Sequence, residues 1–137
     1  MSKYLVIETV ITDEAILADA LKQVSQEMGF EWERHQQPES LVGYQGRQRE
    51  ETAEFIVRRH QLGRASNDLG WKRKDGKFQV IVSEFDHSKN RTMNIVNEVR
   101  DAYAIIEATR AATANGYTVT PVKNGDGKVV QLTLARY

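Results

Sequence analysis

The sequence predicts an α+β domain: a single antiparallel or mixed sheet of about six or seven strands, with two helices packed on one face. Three observations predict it. From Asn90 onward, Ile95, Val96, Val99, Ala102, Tyr103 and Ile106 recur at helical spacing, and the segment stops at Asn115-Gly116. Two runs of strand composition, Tyr117–Val122 and Lys128–Tyr137, then flank the turn cluster Asn124-Gly125-Asp126-Gly127. A second hairpin is written into Leu69–Phe85, where Asp75-Gly76 is a favoured two-residue turn because both central positions need φ > 0.

In chain order, Lys3–Ile11 alternates, with Leu5, Ile7 and Ile11 on one face and Tyr4, Glu8 and Val10 on the other, which is a strand pattern. Asp13 stands where an N-cap belongs, since its carboxylate can accept from the free amides of a first helical turn. Ile16, Leu17, Leu21, Val24 and Met28 continue at helical spacing to Gly29, the expected C′ residue. Phe30–Arg34 alternates aromatic and charged residues and reads as a second strand. Pro38 lacks an amide hydrogen and restricts residue 37, so 36–40 reads as loop. Gly43-Tyr44-Gln45-Gly46 reads as a bend. Thr52–His60 follows as a strand, with Ala53, Phe55 and Val57 on one face and Ile56 on the other.

Placing the turn at Asp75-Gly76 sets the partners: Lys74 opposite Lys77, Arg73 opposite Phe78, Trp71 opposite Val80, Leu69 opposite Val82. Leu69, Trp71, Phe78, Val80 and Val82 then share a core face, while Lys72 and Gln79 face out. In the last hairpin the parity is the same whether the turn centres on Asn124-Gly125, Gly125-Asp126 or Asp126-Gly127. Tyr117, Val119 and Pro121 share a face with Val130, Leu132 and Leu134, and the opposite face carries Thr118, Thr120, Gln131 and Thr133. An apolar face against a Thr/Gln face suits a sheet roofed on one side by helices. The repeated Asp-Gly-Lys turns are common turn chemistry and do not argue for an internal duplication.

The 137 residues fit one domain, 1–137, and no linker-like stretch divides them. The absence of cysteine removes disulfides, thiolate nucleophiles and Cys-containing metal sites, and it suits a reducing compartment. No apolar run reaches membrane-spanning length. Met1-Ser2-Lys3-Tyr4 opens no charged region followed by an apolar one, so secretion is not expected. Lys plus Arg equals Asp plus Glu at 19 each, and the information lies in their distribution. Residues 1–45 hold three basic and eight acidic side chains, whereas 46–78 hold nine basic and five acidic. Such asymmetry marks either an anion-binding face or two surfaces that attract one another.

The order of elements resembles one uncharacterised family, that of the hypothetical chloroplast reading frame thirty-five, with cyanobacterial, red-algal plastid and phage relatives. The resemblance rests on the N-terminal strand and helix, on Gly43-Tyr44-Gln45-Gly46, and on Leu69-Gly70-Trp71 leading into Lys74-Asp75-Gly76-Lys77-Phe78. Tyr103, Asn115-Gly116-Tyr117 and the Asp126-Gly127 hairpin ending in Arg136-Tyr137 also belong to it. Asp86-His87 stands where the family's Trp-rich ending is expected. The resemblance implies no activity.

Three groups of residues are candidates for function. Arg47, Arg49, Arg58, Arg59, Arg64, Lys72 and Lys74, with Trp71 and Tyr44, have the chemistry of a nucleic-acid binder, cations for phosphates and rings for bases. Against this, the hairpin register places Trp71 in the core, and edge lysines are expected wherever a sheet discourages pairing. His35, His60 and His87 each follow a strand, and with Asp86 and Glu84 they would make a His/carboxylate metal site if they converged. Their spacing is not diagnostic, and polar residues at strand ends are ordinary. Gly43-Tyr44-Gln45-Gly46-Arg47 can turn amides toward an anion, but no phosphate-loop Lys-Ser/Thr follows. Ser66, Ser83 and Ser88 lack a nucleophile-elbow context. Glu84 and Asp86, two apart, would share a strand face as paired carboxylates.

These readings make a small non-catalytic domain that acts by protein–protein binding, as an adaptor or regulatory subunit, with a second copy of itself among the candidate partners. The alternatives are nucleic-acid or nucleotide binding through residues 46–78, and a metal-dependent enzyme at the histidines. No cofactor and no membrane is expected. The expected location is the cytoplasm, a plastid stroma or a phage-infected host cytoplasm.

Overall fold

Alternating strands and one tight turn build an antiparallel sheet in the computed structural model, which describes residues 3–136. Met1, Ser2 and Tyr137, included in the readings of the two chain ends, lie outside the described residues. The elements are β1 (Tyr4–Ile7), α1 (Glu14–Met28), β2 (Glu33–Val42), β3 (Gln48–Val57), β4 (Leu69–Lys74), β5 (Lys77–Ser83), α2 (Glu84–His87), α3 (Asn90–Ala114), β6 (Tyr117–Lys123) and β7 (Val129–Arg136). Five strands form one sheet in the order β1-β5-β4-β3-β2, every neighbour antiparallel.

The β4–β5 register is the expected one: Lys74 faces Lys77, Arg73 faces Phe78 and Trp71 faces Val80. Asp75 and Gly76 take φ of 54° and 80°, the left-handed pair that this turn demands. Trp71, Phe78, Val80 and Val82 meet Leu17, Leu21 and Val24 of α1 and Ile95, Val99 and Tyr103 of α3 in the main core. Asp13 caps α1 by accepting from the Ile16 amide at 3.1 Å, and Gly29 closes it with a bond to the Ser25 carbonyl.

The back face carries a second cluster of Tyr4, Leu41, Ala53, Ile56 and Ile81. Gly70 makes that packing possible. A Cβ at Gly70 would come within 2.6 Å of the Ala53 Cβ, so the β2–β3 ribbon closes over the sheet only where β4 has no side chain. Ala53 therefore belongs with Ile56 and not with Phe55 and Val57, as straight alternation predicts. The β2–β3 pairing shifts register between Arg34 and Glu39, which breaks the parity.

Four further expectations are corrected. The described residues form two sheets and not one: β6 and β7 pair with each other, in a separate two-stranded sheet. Pro38 does not end its strand, because β2 is an edge and its irregular stretch tolerates a residue without a donor. The described residues form three α-helices and not two, since Ser83 caps the single turn of α2, too short to show a period. That turn also removes Glu84 and Asp86 from a common strand face: Glu84 is exposed, and Asp86 is buried.

The β6–β7 register runs from Tyr117 opposite Arg136 to Val122 opposite Gln131, which preserves the expected faces. Its apolar face is not a finished core. The 25 residues of α3 span roughly 37 Å at 1.5 Å each, and its buried positions end at Tyr103. The hairpin rests beside α3 beyond the main sheet, so Val130 and Leu134 remain 63% and 47% exposed. Among the described residues no helix is long and apolar enough to cross a membrane.

Candidate functional site

A polar knot centred on the buried Asp68 forms where β2, β3 and β4 meet. The Asp68 carboxylate, 1% exposed, accepts from the Val42 amide, the Arg59 amide and the Arg58 guanidinium, each at 2.7–2.8 Å. Arg58 also donates to both oxygens of Glu33, at 2.8 and 2.9 Å. That bond, together with one from His35, holds the Glu33 carboxyl below its ordinary range despite partial burial. The same ion pairs raise the already basic Arg58 further, against the cost of its burial.

Next to Asp68, Asn67 joins two loops. Its amide and Nδ2 donate to Asp86 Oδ2, Nδ2 also donates to Ser83 Oγ, and its Oδ1 accepts from the Tyr44 amide at 2.8 Å. Asp86 Oδ2 takes a further bond from the Ser83 hydroxyl at 2.6 Å, while Oδ1 is buried without a partner among the described residues. Tyr4 donates its hydroxyl to the Asp68 carbonyl at 2.8 Å. Burial first, and then the Asp68 charge, push the Tyr4 phenol well above its usual value. The knot fixes the Gly43–Gly46 bend against the 65–68 loop and α2. A cleft of about 280 Å³ opens there, with Tyr44, Arg47, Arg49, Asn67 and Phe85 among its walls.

The seven cations named from the sequence are not gathered on one surface. Arg47 and Arg49 share the cleft. Arg58 and Arg59 border an open groove with His60 on the other side of the knot. Arg64 is exposed and its carbonyl lies 3.5 Å from Arg59 Nη1, Lys72 donates to Thr52 Oγ1 at 2.6 Å, and Lys74 is exposed beside the turn. The charge asymmetry of the sequence is realised in part as attraction between segments, with Arg73 on Glu14 and Arg58 on Glu33.

The histidines also stay apart in role. His35 Nε2 is 2.8 Å from Glu33 Oε1, His60 stands beside two arginines, and His87 is exposed at the end of α2. Asp86 is committed to Asn67 and Ser83. Among the described residues no group of three or more His, Cys, Asp or Glu side chains is placed to hold a metal ion. Sequence reasoning passed over Asn67, Asp68 and Glu33. The one signal was Ser66-Asn67-Asp68 directly before a strand, which is also plain turn composition.

At the far end of the molecule, Lys128 forms an ion pair with Glu98 that ties the β6–β7 turn to α3. The cleft between that turn and the two long helices, about 630 Å³, mixes Glu27, Glu98 and Asp101 with Lys123 and Lys128. Beyond it the hairpin presents Val130 and Leu134.

A five-stranded antiparallel sheet roofed by two long helices, knotted by buried polar groups on its back and extended by a detached hairpin, defines a small α+β protein. The chain belongs to the DUF1257 family, proteins of unknown function, whose family model matches residues 24–133. No curated protein and no solved structure matches it.

Proposed function

We propose that the protein acts by binding another protein through the β6–β7 hairpin, a second copy of the chain being the first partner to consider. One observation carries this reading: the hairpin stands outside the five-stranded sheet with Val130 and Leu134 exposed on its apolar face. An unpaired strand edge adds a partner strand through main-chain hydrogen bonds, with apolar side chains supplying the affinity. The edges of the main sheet are poorer templates, since β1 has four residues and β2 carries Pro38 within an irregular, charged stretch. Pro121 blunts β6 in the same way, which leaves β7, with neither proline nor glycine, as the most continuous edge. The lack of cysteine supports a reducing compartment, cytoplasm or stroma. We further infer that the plastid and cyanobacterial reading-frame family that the sequence resembles is the family matched here.

Light scattering across a concentration series is the test, comparing the protein with a Val130→Asp, Leu134→Asp variant. A dimer that the variant loses, at unchanged melting temperature, supports the reading. A strict monomer that also retains no host protein in a hairpin-dependent way overturns it.

A further inference from the structure

We infer that two copies of the chain join through β7, antiparallel and about a two-fold axis at Leu132, into one four-stranded sheet ordered β6-β7-β7-β6. This inference rests on the hairpin reading above and commits it to one partner and one register. The outer edge of β7 pairs with no strand among the described residues. β6 packs more closely on α3 than β7 does. Tyr117 and Val119 of β6 are half-buried, while their partners across the hairpin, Arg136 and Leu134, are exposed. Cover from α3 thus fades toward the outer strand, which keeps a row of main-chain donors and acceptors open to a further strand.

The apolar side chains of β7 are arranged so that the strand complements itself. Val130 and Leu134 are 63% and 47% exposed, and they stand two residues to either side of the half-buried Leu132. A closed pair of copies uses the same patch on both, so that residue i meets j and j meets i. With the axis at Leu132, Val130 of each copy lies opposite Leu134 of the other, and Leu132 meets itself. Gln131 and Thr133 pair on the opposite face. Moving the axis to Gln131 sets Leu134 against Lys128, and moving it to Thr133 sets Val130 against Arg136. An axis between two residues lays the apolar face of one copy beside the Thr/Gln face of the other. The axis at Leu132 also brings Lys128 opposite Arg136, but each is drawn back onto its own chain. Lys128 pairs with Glu98, and Arg136 donates to the Asn115 carbonyl at 3.1 Å and lies over the Tyr117 ring. One strand pair is a small interface, so the dimer is weak and depends on concentration.

Analytical ultracentrifugation of the full chain over a concentration series tests the register, with Val130→Glu and Leu134→Lys introduced singly and together. Melting temperature is the folding control. Each substitution alone should weaken the dimer about tenfold or more, the scale of one lost apolar side chain. Together they face one another across the axis, so the double variant should dimerise more tightly than either single one and lose that gain in high salt. The chain has no cysteine, so one introduced thiol reports its own position. Leu132→Cys should give a disulfide-linked dimer on mild oxidation faster than Gln131→Cys or Thr133→Cys, because only a position on the axis brings its two Cβ atoms into bonding range. A double variant weaker than both single ones overturns the proposal, as does faster linkage at Gln131 or Thr133. A wild-type dimer that the Val130→Asp, Leu134→Asp variant loses, without the rescue, removes this axis and leaves the hairpin reading standing. A strictly monomeric wild type also overturns the proposal, and the hairpin reading then survives only on a host protein retained through the hairpin.

Discussion

Tyr103 in the middle of α3 places its hydroxyl 3.1 Å from the Thr12 amide and 3.0 Å from the Asp13 amide, the two groups that lead into α1. The same hydroxyl donates to Glu107 at 3.1 Å, so one buried phenol joins both roofing helices at the point where the first begins. Apolar spacing alone marks Tyr103 as a core residue, and the oxygen gives it a second role.

Removing that oxygen leaves two amides without their acceptor. Tyr103→Phe should therefore destabilise the protein by about 1–3 kcal/mol, measured by urea unfolding. Tyr117→Phe, at a half-buried position of the exposed hairpin, should change the midpoint little. Equal effects from the two would show that the Tyr103 hydroxyl does not carry the link.

Arg58 and Asp68 form the centre of the back-face knot, and the Asp68 carboxylate is almost wholly shut off from water. Arg58→Met should cost about 2–3 kcal/mol, below the range for fully buried pairs because a quarter of the Arg58 side chain is exposed. The double variant Arg58→Met, Asp68→Asn should recover part of the loss. If the single variant unfolds at the wild-type urea concentration, the knot has no stabilising role.

Gly70 sits under Ala53, with no room for a methyl group. Gly70→Ala should cost about 1–3 kcal/mol by overpacking, and Ala53→Gly in the same chain should restore part of it. Failure of that rescue in thermal unfolding would place the strain elsewhere.

Two shifted groups should shape stability at the two ends of the pH range. The Tyr4 phenol is raised in the folded state by burial and by Asp68, so its contribution is complete below its ordinary value of 10.0 and is lost as pH rises beyond it. The Glu33 carboxyl is lowered by Arg58, so its contribution is complete above its ordinary value of 4.5 and is lost as pH falls below it. Melting temperature against pH should fall on both sides. Tyr4→Phe should flatten the alkaline fall, and Glu33→Gln the acid one.

The sheet register and the helix start were legible because the chemistry that sets them is local. Asp75 and Gly76 adopt φ > 0 within one turn, and every partner of β4 and β5 follows by counting. Asp13 reaches an amide three residues away. The candidate site was not legible in this way. Arg58 reads as a surface cation until it meets Glu33, which lies 25 residues away, and Asn67 reads as a turn residue until Ser83 and Asp86 close on it.

By itself, then, the sequence determined the α+β class, the two hairpins with their faces, and the amphipathic helices, because periodicity and turn chemistry act over a few residues. The tertiary structure alone decided that the last hairpin leaves the sheet, that β2 continues through Pro38, and that Arg47 and Arg49 line one cleft while Arg58 and Arg59 line another. Each of these depends on which distant segment arrives opposite, and alternation along a strand carries no record of that partner.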